Sequence, residues 1–149
     1  MATITTTDPA TLVTAKRGEL SKLFAAGRAG DTPNGHGRGT VLLGTGGLPA
    51  RLATGLVYAL AWRGKVVDAR RARLKNILTP LEIQAIEAVI YTQDSWYDGR
   101  PSIVLDYSRT SLVARMIRDE IREIAPGVFL GLVFWGRHHV LDFTLDFTR

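Results

Sequence analysis

Cysteine is missing altogether from this chain of 149 residues. That absence excludes a disulfide scaffold, a thiolate metal site and a cysteine nucleophile together. A long apolar run is missing too. The longest, GLPARLATGLVYALAW at 47–62, carries Arg51 and falls short of the roughly 20 residues that a spanning helix needs. The N-terminus, MATITTTDPATLV, has neither the basic start nor the apolar core of a secretory signal. These absences lead to the expectation of a cytoplasmic protein with no membrane span. No internal repeat and no low-complexity linker interrupt the chain, so residues 1–149 read as one domain, with 1–8 as a loose tail.

Chemical signatures are equally sparse. GTGGLP at 44–49 has Pro49 where a dinucleotide fingerprint needs glycine, and no Walker lysine follows. His138 and His139 are adjacent on an expected strand, so their side chains leave opposite faces, and His36 is distant in sequence. No G-x-S-x-G serine motif occurs. The expectation is therefore no metal and no cofactor.

What is present is apolar and basic. Hydrophobic residues make up 46% and charged residues 22%, the balance of a globular domain rather than a disordered one. The net charge is +5, much of it from WRGKVVDARRARLK at 62–75. No aromatic residues are interleaved there, so a stacking platform for single strands is not indicated. The stretch reads as a solvated strand–turn–strand edge without specific nucleic-acid binding.

The order of elements follows from pattern. Asp8 and Pro9 start a helix over 8–27, the glycines and proline of 28–39 mark a loop, and 40–45 reads as a short strand. A helix apolar nearly all round is expected at 48–63. Strands follow at 65–69, 73–79, 83–97 and 100–108, the last two joined at Asp98-Gly99. After a helix at 110–124, strands at 128–135 and 139–147 form a hairpin around Gly136-Arg137.

The strands are apolar on both faces: Ile103, Leu105 and Tyr107 oppose Ser102, Val104 and Asp106, while Phe129, Val133 and Trp135 oppose Leu130, Leu132 and Phe134. An antiparallel sheet with one wet face would alternate more cleanly. The pattern predicts an α+β fold in which a strongly curved antiparallel sheet or barrel of about six to seven strands is packed by about three helices.

The block LDYSRTSLVARMIRDEIREIAPGVFLG and the aromatic strand after it, within 98–147, together with WRGK at 62–65, resemble uncharacterised bacterial lipocalin-like small β-barrel proteins. The Gly-x-Trp of lipocalins is absent; Trp62-Arg63-Gly64 stands instead. The resemblance implies a barrel-like cup for a lipophilic small molecule and brings no catalytic residues with it.

On a helical wheel, Glu120 falls amid Val113, Met116 and Ile124 on the apolar arc of the expected 110–124 helix. An inward carboxylate must be paired, hydrogen-bonded or protonated, and withdrawal from water raises its pKa. The candidate catalytic set is Glu120 with Asp106, Tyr107, Glu87 and Asp142. Trp135, Phe129, Phe134, Tyr91 and Trp62 are the candidate ligand wall.

The expected function is a cofactor-independent acid–base enzyme (an isomerase, lyase, cyclase or epoxide-opening enzyme) acting on an apolar small molecule. The alternative is a non-catalytic carrier or sensor for a lipophilic ligand. A homodimer is compatible with either.

Overall fold

A computed structural model describes residues 8–42, 62–78, 83–112 and 114–148. Eight strands form a closed antiparallel barrel in which each pairs with its sequence neighbours and the last pairs with the first. They are β1 (Gly35–Leu42), β2 (Trp62–Asp68), β3 (Arg73–Leu78), β4 (Ile83–Asp94), β5 (Pro101–Asp106), β6 (Ile117–Ala125), β7 (Val128–Trp135) and β8 (His138–Asp146). Two helices precede them among the described residues, α1 (Pro9–Leu12) and α2 (Arg17–Ala26). The barrel thus has more strands than the sequence suggested, and the described residues hold fewer helices. The helix expected at 48–63 and the GTGGLP stretch fall almost wholly outside the described residues. No helix among those residues is long and apolar enough to cross a membrane.

The largest correction concerns 110–124. Residues Ile117–Ala125 are a strand, paired antiparallel with β5 on one side and β7 on the other. Their isoleucines are spaced by both a helical and an extended pattern, and tertiary pairing decides between them: without β6 the barrel could not close. The residues just before it make tight turns, with Ser111 N–H donating to the Tyr107 carbonyl and Ile117 N–H to that of Ala114. The glycine-rich stretch at 28–39 also differs from expectation, since its second part opens β1. A Cβ on Gly39 would collide with the ring of Trp62, and one on Gly37 with that of Phe147. Those glycines make room for aromatic rings; they do not mark a loop.

The two-residue alternation holds round the barrel. One set of side chains, including Val67, Leu74, Ile90, Ile103, Leu105, Ile121, Phe129, Phe143 and Leu145, packs into the interior. The other faces outward. On β7 and the end of β1 that outer side is covered by the N-terminal helices: Leu12, Leu20 and Phe24 pack on Leu42, Leu130, Leu132 and Phe134. Asp8 caps α1, its carboxylate accepting from Ala10 N–H at 3.1 Å, as the sequence predicts. The helical stretch then breaks in two between Leu12 and Arg17.

Antiparallel order fixes the ends. The C-terminal ends of β1, β3, β5 and β7 and the N-terminal ends of β2, β4, β6 and β8 share one rim. That rim carries Trp62, Tyr107, Ile117 and Trp135.

Candidate functional site

Below that rim the apolar interior is interrupted by four polar side chains: Lys65 on β2, Asn76 on β3, Tyr107 just after β5 and Asp119 on β6. All four are buried. Lys65 and Asn76 sit opposite each other in the β2–β3 register, and Asp119 alternates with Ile117 and Ile121 on the inward face of β6.

They bond to one another. Lys65 Nζ donates to Tyr107 Oη at 2.6 Å, to Asn76 Oδ1 at 2.7 Å and to Asp119 Oδ2 at 3.1 Å. Tyr107 Oη in turn donates to Asp119 Oδ2 at 3.3 Å and accepts from Asn76 Nδ2 at 3.0 Å. Asn76 Oδ1 also accepts from Trp62 Nε1 at 3.0 Å. The Lys65 ammonium lies 5.3 Å from the ring centroids of Trp62 and Tyr107 and 5.4 Å from that of Phe143, within cation–π range.

A backbone feature serves the same cluster. Ile86 adopts φ 57, a left-handed conformation that a β-branched residue rarely takes. It is the extra residue of a bulge, since Lys75 pairs with Glu87 but Asn76 pairs with Ala85. Its carbonyl accepts from Asn76 Nδ2 at 2.9 Å, which fixes the amide's orientation.

Burial dominates the electrostatics. It pushes the Lys65 amine below its ordinary pKa, against the attraction of Asp119. It raises the Asp119 carboxyl above its own, against the pull of Lys65 and Tyr107. The Tyr107 hydroxyl is held well above its usual value by burial and then by the Asp119 charge. The amine and the carboxyl are thus drawn toward each other in acidity.

The sequence-derived candidates divide sharply. Tyr107, Trp62 and Phe129 belong to the interior, and Trp135 stands at the rim. Glu120, Asp106, Tyr91, Glu87, Asp142 and Phe134 are on the outer wall. Glu120 is fully buried there. Its Oε1 accepts from Ser95 Oγ, and its Oε2 accepts from Trp96 N–H at 2.8 Å and from Arg118 Nε at 3.1 Å. It therefore points away from the interior and pins the β4–β5 connection to β6. Glu120→Gln removes the negative partner of Arg118 and is expected to lower stability by about 1.5–3 kcal/mol. Chemical denaturation measures this; an unchanged or raised midpoint would contradict the clamp.

The remaining outer-wall candidates have separate partners. Asp106 accepts from Tyr91 Oη at 2.8 Å and from Ser108 N–H at 2.8 Å. Asp142 bonds His139 Nε2. Glu87 lies opposite Lys75 on the next strand.

Lys65, Asn76 and Asp119 were not singled out by sequence reasoning. Reading 117–125 as a strand would have exposed Asp119 as the acid between two inward isoleucines.

No protein-family model matches the chain, and no curated protein matches it. A crystal structure of a protein from Thermomonospora curvata is similar, with a TM-score of 0.61 and 18% identity over 91% of this chain and 90% of that one. At that identity the likeness concerns the fold alone, a small closed antiparallel β-barrel.

Proposed function

We propose that the barrel takes up an apolar small molecule bearing one polar group, and that Lys65, Tyr107 and Asp119 perform cofactor-independent acid–base chemistry on that group. Isomerisation, lyase chemistry, cyclisation and epoxide opening all fit. The observation that carries this reading is a mutually hydrogen-bonded polar cluster set in an otherwise apolar interior, close to one rim. An eight-stranded barrel has an interior that side chains fill or that holds one small ligand. A lipocalin-like cup in a cytoplasmic protein is part of the same proposal.

In this mechanism the Lys65 ammonium or the Tyr107 hydroxyl donates a proton to the substrate oxygen. The Asp119 carboxylate then stabilises or removes the positive charge that develops on carbon. Asn76 holds Tyr107 and Lys65 in place. Trp62 and Phe143 supply apolar faces beside the reacting group.

A non-catalytic carrier is the second reading, and one observation favours it. The Lys65 ammonium already has three acceptors for its three protons, so a ligand must replace one of them rather than fill a vacant place.

The uncharged fluorophore N-phenyl-1-naphthylamine tests both readings. Wild type is expected to bind it, and a panel of apolar epoxides, enones and β-hydroxy ketones is expected to displace it, with one class consumed. Tyr107→Phe should cut turnover by about 10²–10³-fold while probe affinity stays within a few-fold. Displacement with no consumption selects the carrier. Failure of wild type to bind the probe or any panel member overturns both.

A further inference from the structure

The rim nearest the polar cluster has an exposed apolar margin. Leu112 is 91% exposed, Met116 52% and Trp135 48%. Met116 and Trp135 are held on neighbouring backbone. Gly136 N–H donates to the Met116 carbonyl at 2.9 Å, and Trp135 pairs with Ile117 in the β6–β7 register. Leu112 is carried on the same 107–116 connection, whose turns are fixed by Ser111 N–H to the Tyr107 carbonyl and Ala114 N–H to Ser111 Oγ.

Among the described residues, the two connections that carry this margin, 107–116 and 136–137, bear only positive charge. Arg109, Arg115 and Arg137 are exposed beside it, and no Asp or Glu occurs between Tyr107 and Arg118 or between Trp135 and Val140. Arg137 stacks on Trp96, 4.3 Å from its centroid. The acids of the neighbouring strands, Asp106 and Glu87, lie on the outer wall, where Asp106 is engaged by Tyr91 and Ser108 and also feels the charge of Arg109.

We propose that this rim is a docking surface for an anionic lipid bilayer, with Leu112, Met116 and Trp135 entering the interface and Arg109, Arg115 and Arg137 meeting the headgroups. Charge complementarity selects the anionic partner. The protruding leucine, methionine and tryptophan select lipid over a nucleic-acid backbone, because phosphate contacts reward cations and leave exposed apolar tips in water. The surface stands independently of any chemistry inside the barrel. Should the interior take an apolar molecule, the docked rim would open toward the phase in which such molecules dissolve.

The full chain is sedimented at low salt with vesicles of phosphatidylcholine alone and of phosphatidylcholine mixed with phosphatidylglycerol. Binding is expected to the mixed vesicles and to weaken as salt rises. The double variant Leu112→Ser/Met116→Ser should reduce partitioning by about tenfold or more. Arg115→Glu, at an exposed position, should reduce it by at least about fivefold.

Three outcomes overturn the proposal. One is no binding to mixed vesicles. A second is binding to duplex DNA as strong as to vesicles with no effect of the double variant, which makes the rim a general polyanion contact. The third is a concentration-dependent dimer abolished by the double variant, which makes it a self-interface. Thermal unfolding of each variant within a few degrees of wild type shows that the fold is retained, and Arg115→Glu decides the matter should the double variant unfold.

Discussion

Lys65→Met lowers the free energy of unfolding by about 3–5 kcal/mol, and Lys65→Met combined with Asp119→Leu recovers most of the loss. The single change leaves the Asp119 carboxylate buried without its cation, next to a Tyr107 hydroxyl whose orientation the amine had helped to set. A lone charge in that interior is far more costly than a matched pair. The double change replaces the pair with apolar side chains among Trp62, Phe143 and Ile121, where such groups already pack. Urea denaturation of wild type, both single variants and the double variant closes the cycle. A coupling of several kcal/mol is expected; additivity within about 0.5 kcal/mol would mean that the two groups do not interact.

Arg122→Met is the second large effect, again about 3–5 kcal/mol, this time from the outer wall. Arg122 is 1% exposed, and each of its five N–H groups has an acceptor. Nη1 and Nη2 each reach an Asp98 oxygen at 2.7 Å. The others go to the Pro101, Phe24 and Arg100 carbonyls at 3.1 Å. The guanidinium also stacks on Phe24 at 4.3 Å. One side chain on β6 thereby ties down the end of α2 and the whole β4–β5 connection. Methionine fills the volume but leaves the Asp98 carboxylate with Arg100 as its remaining partner, and takes one donor each from the Pro101, Phe24 and Arg100 carbonyls.

This clamp has a pH signature. Bonding to Arg122 holds the Asp98 carboxyl well below the usual carboxylate range, more than offsetting its partial burial. A group whose folded pKa is depressed stabilises the fold above its unfolded pKa, near 3.9, and loses that contribution as pH falls through the folded value. Wild type should therefore lose stability steeply below about pH 4. Asp98→Asn should be less stable at neutral pH and show a shallower decline on the acid side. Parallel curves for the two proteins would contradict the assignment.

The strands were legible wherever alternation had no competing period. Ile103, Leu105 and Tyr107 do face the interior opposite Ser102, Val104 and Asp106, and both the Asp98-Gly99 and Gly136-Arg137 connections join the strands they were expected to join. Two kinds of information misled. The isoleucines at 117, 121 and 124 satisfy a helical repeat, and nothing local records that β5 and β7 need a strand between them. The glycines at 37 and 39 look like loop residues because the rings that occupy their space, Phe147 and Trp62, come from elsewhere in the chain.

The site suffered from the first error. Once 117–125 is wound as a helix, Glu120 turns inward and Asp119 outward; as a strand they exchange places. Tyr107 survived because its neighbours alternate without ambiguity, whereas Trp62, expected at the end of the 48–63 helix, instead opens β2. Lys65 was concealed in a basic stretch whose remaining cations are solvated, and only the closed sheet separates it from them.

The seam between β1 and β8 has a kinetic meaning. Every other strand pair joins sequence neighbours and can zip as a hairpin or across a modest connection, whereas Arg38 meets Asp146 only after nearly the whole chain has been gathered. Loop entropy makes such a contact slow to form and dependent on what precedes it. An unzipped seam would leave two strand edges unpaired. The search for this final pairing is therefore the stage at which the polypeptide is most exposed to joining a neighbour instead of itself.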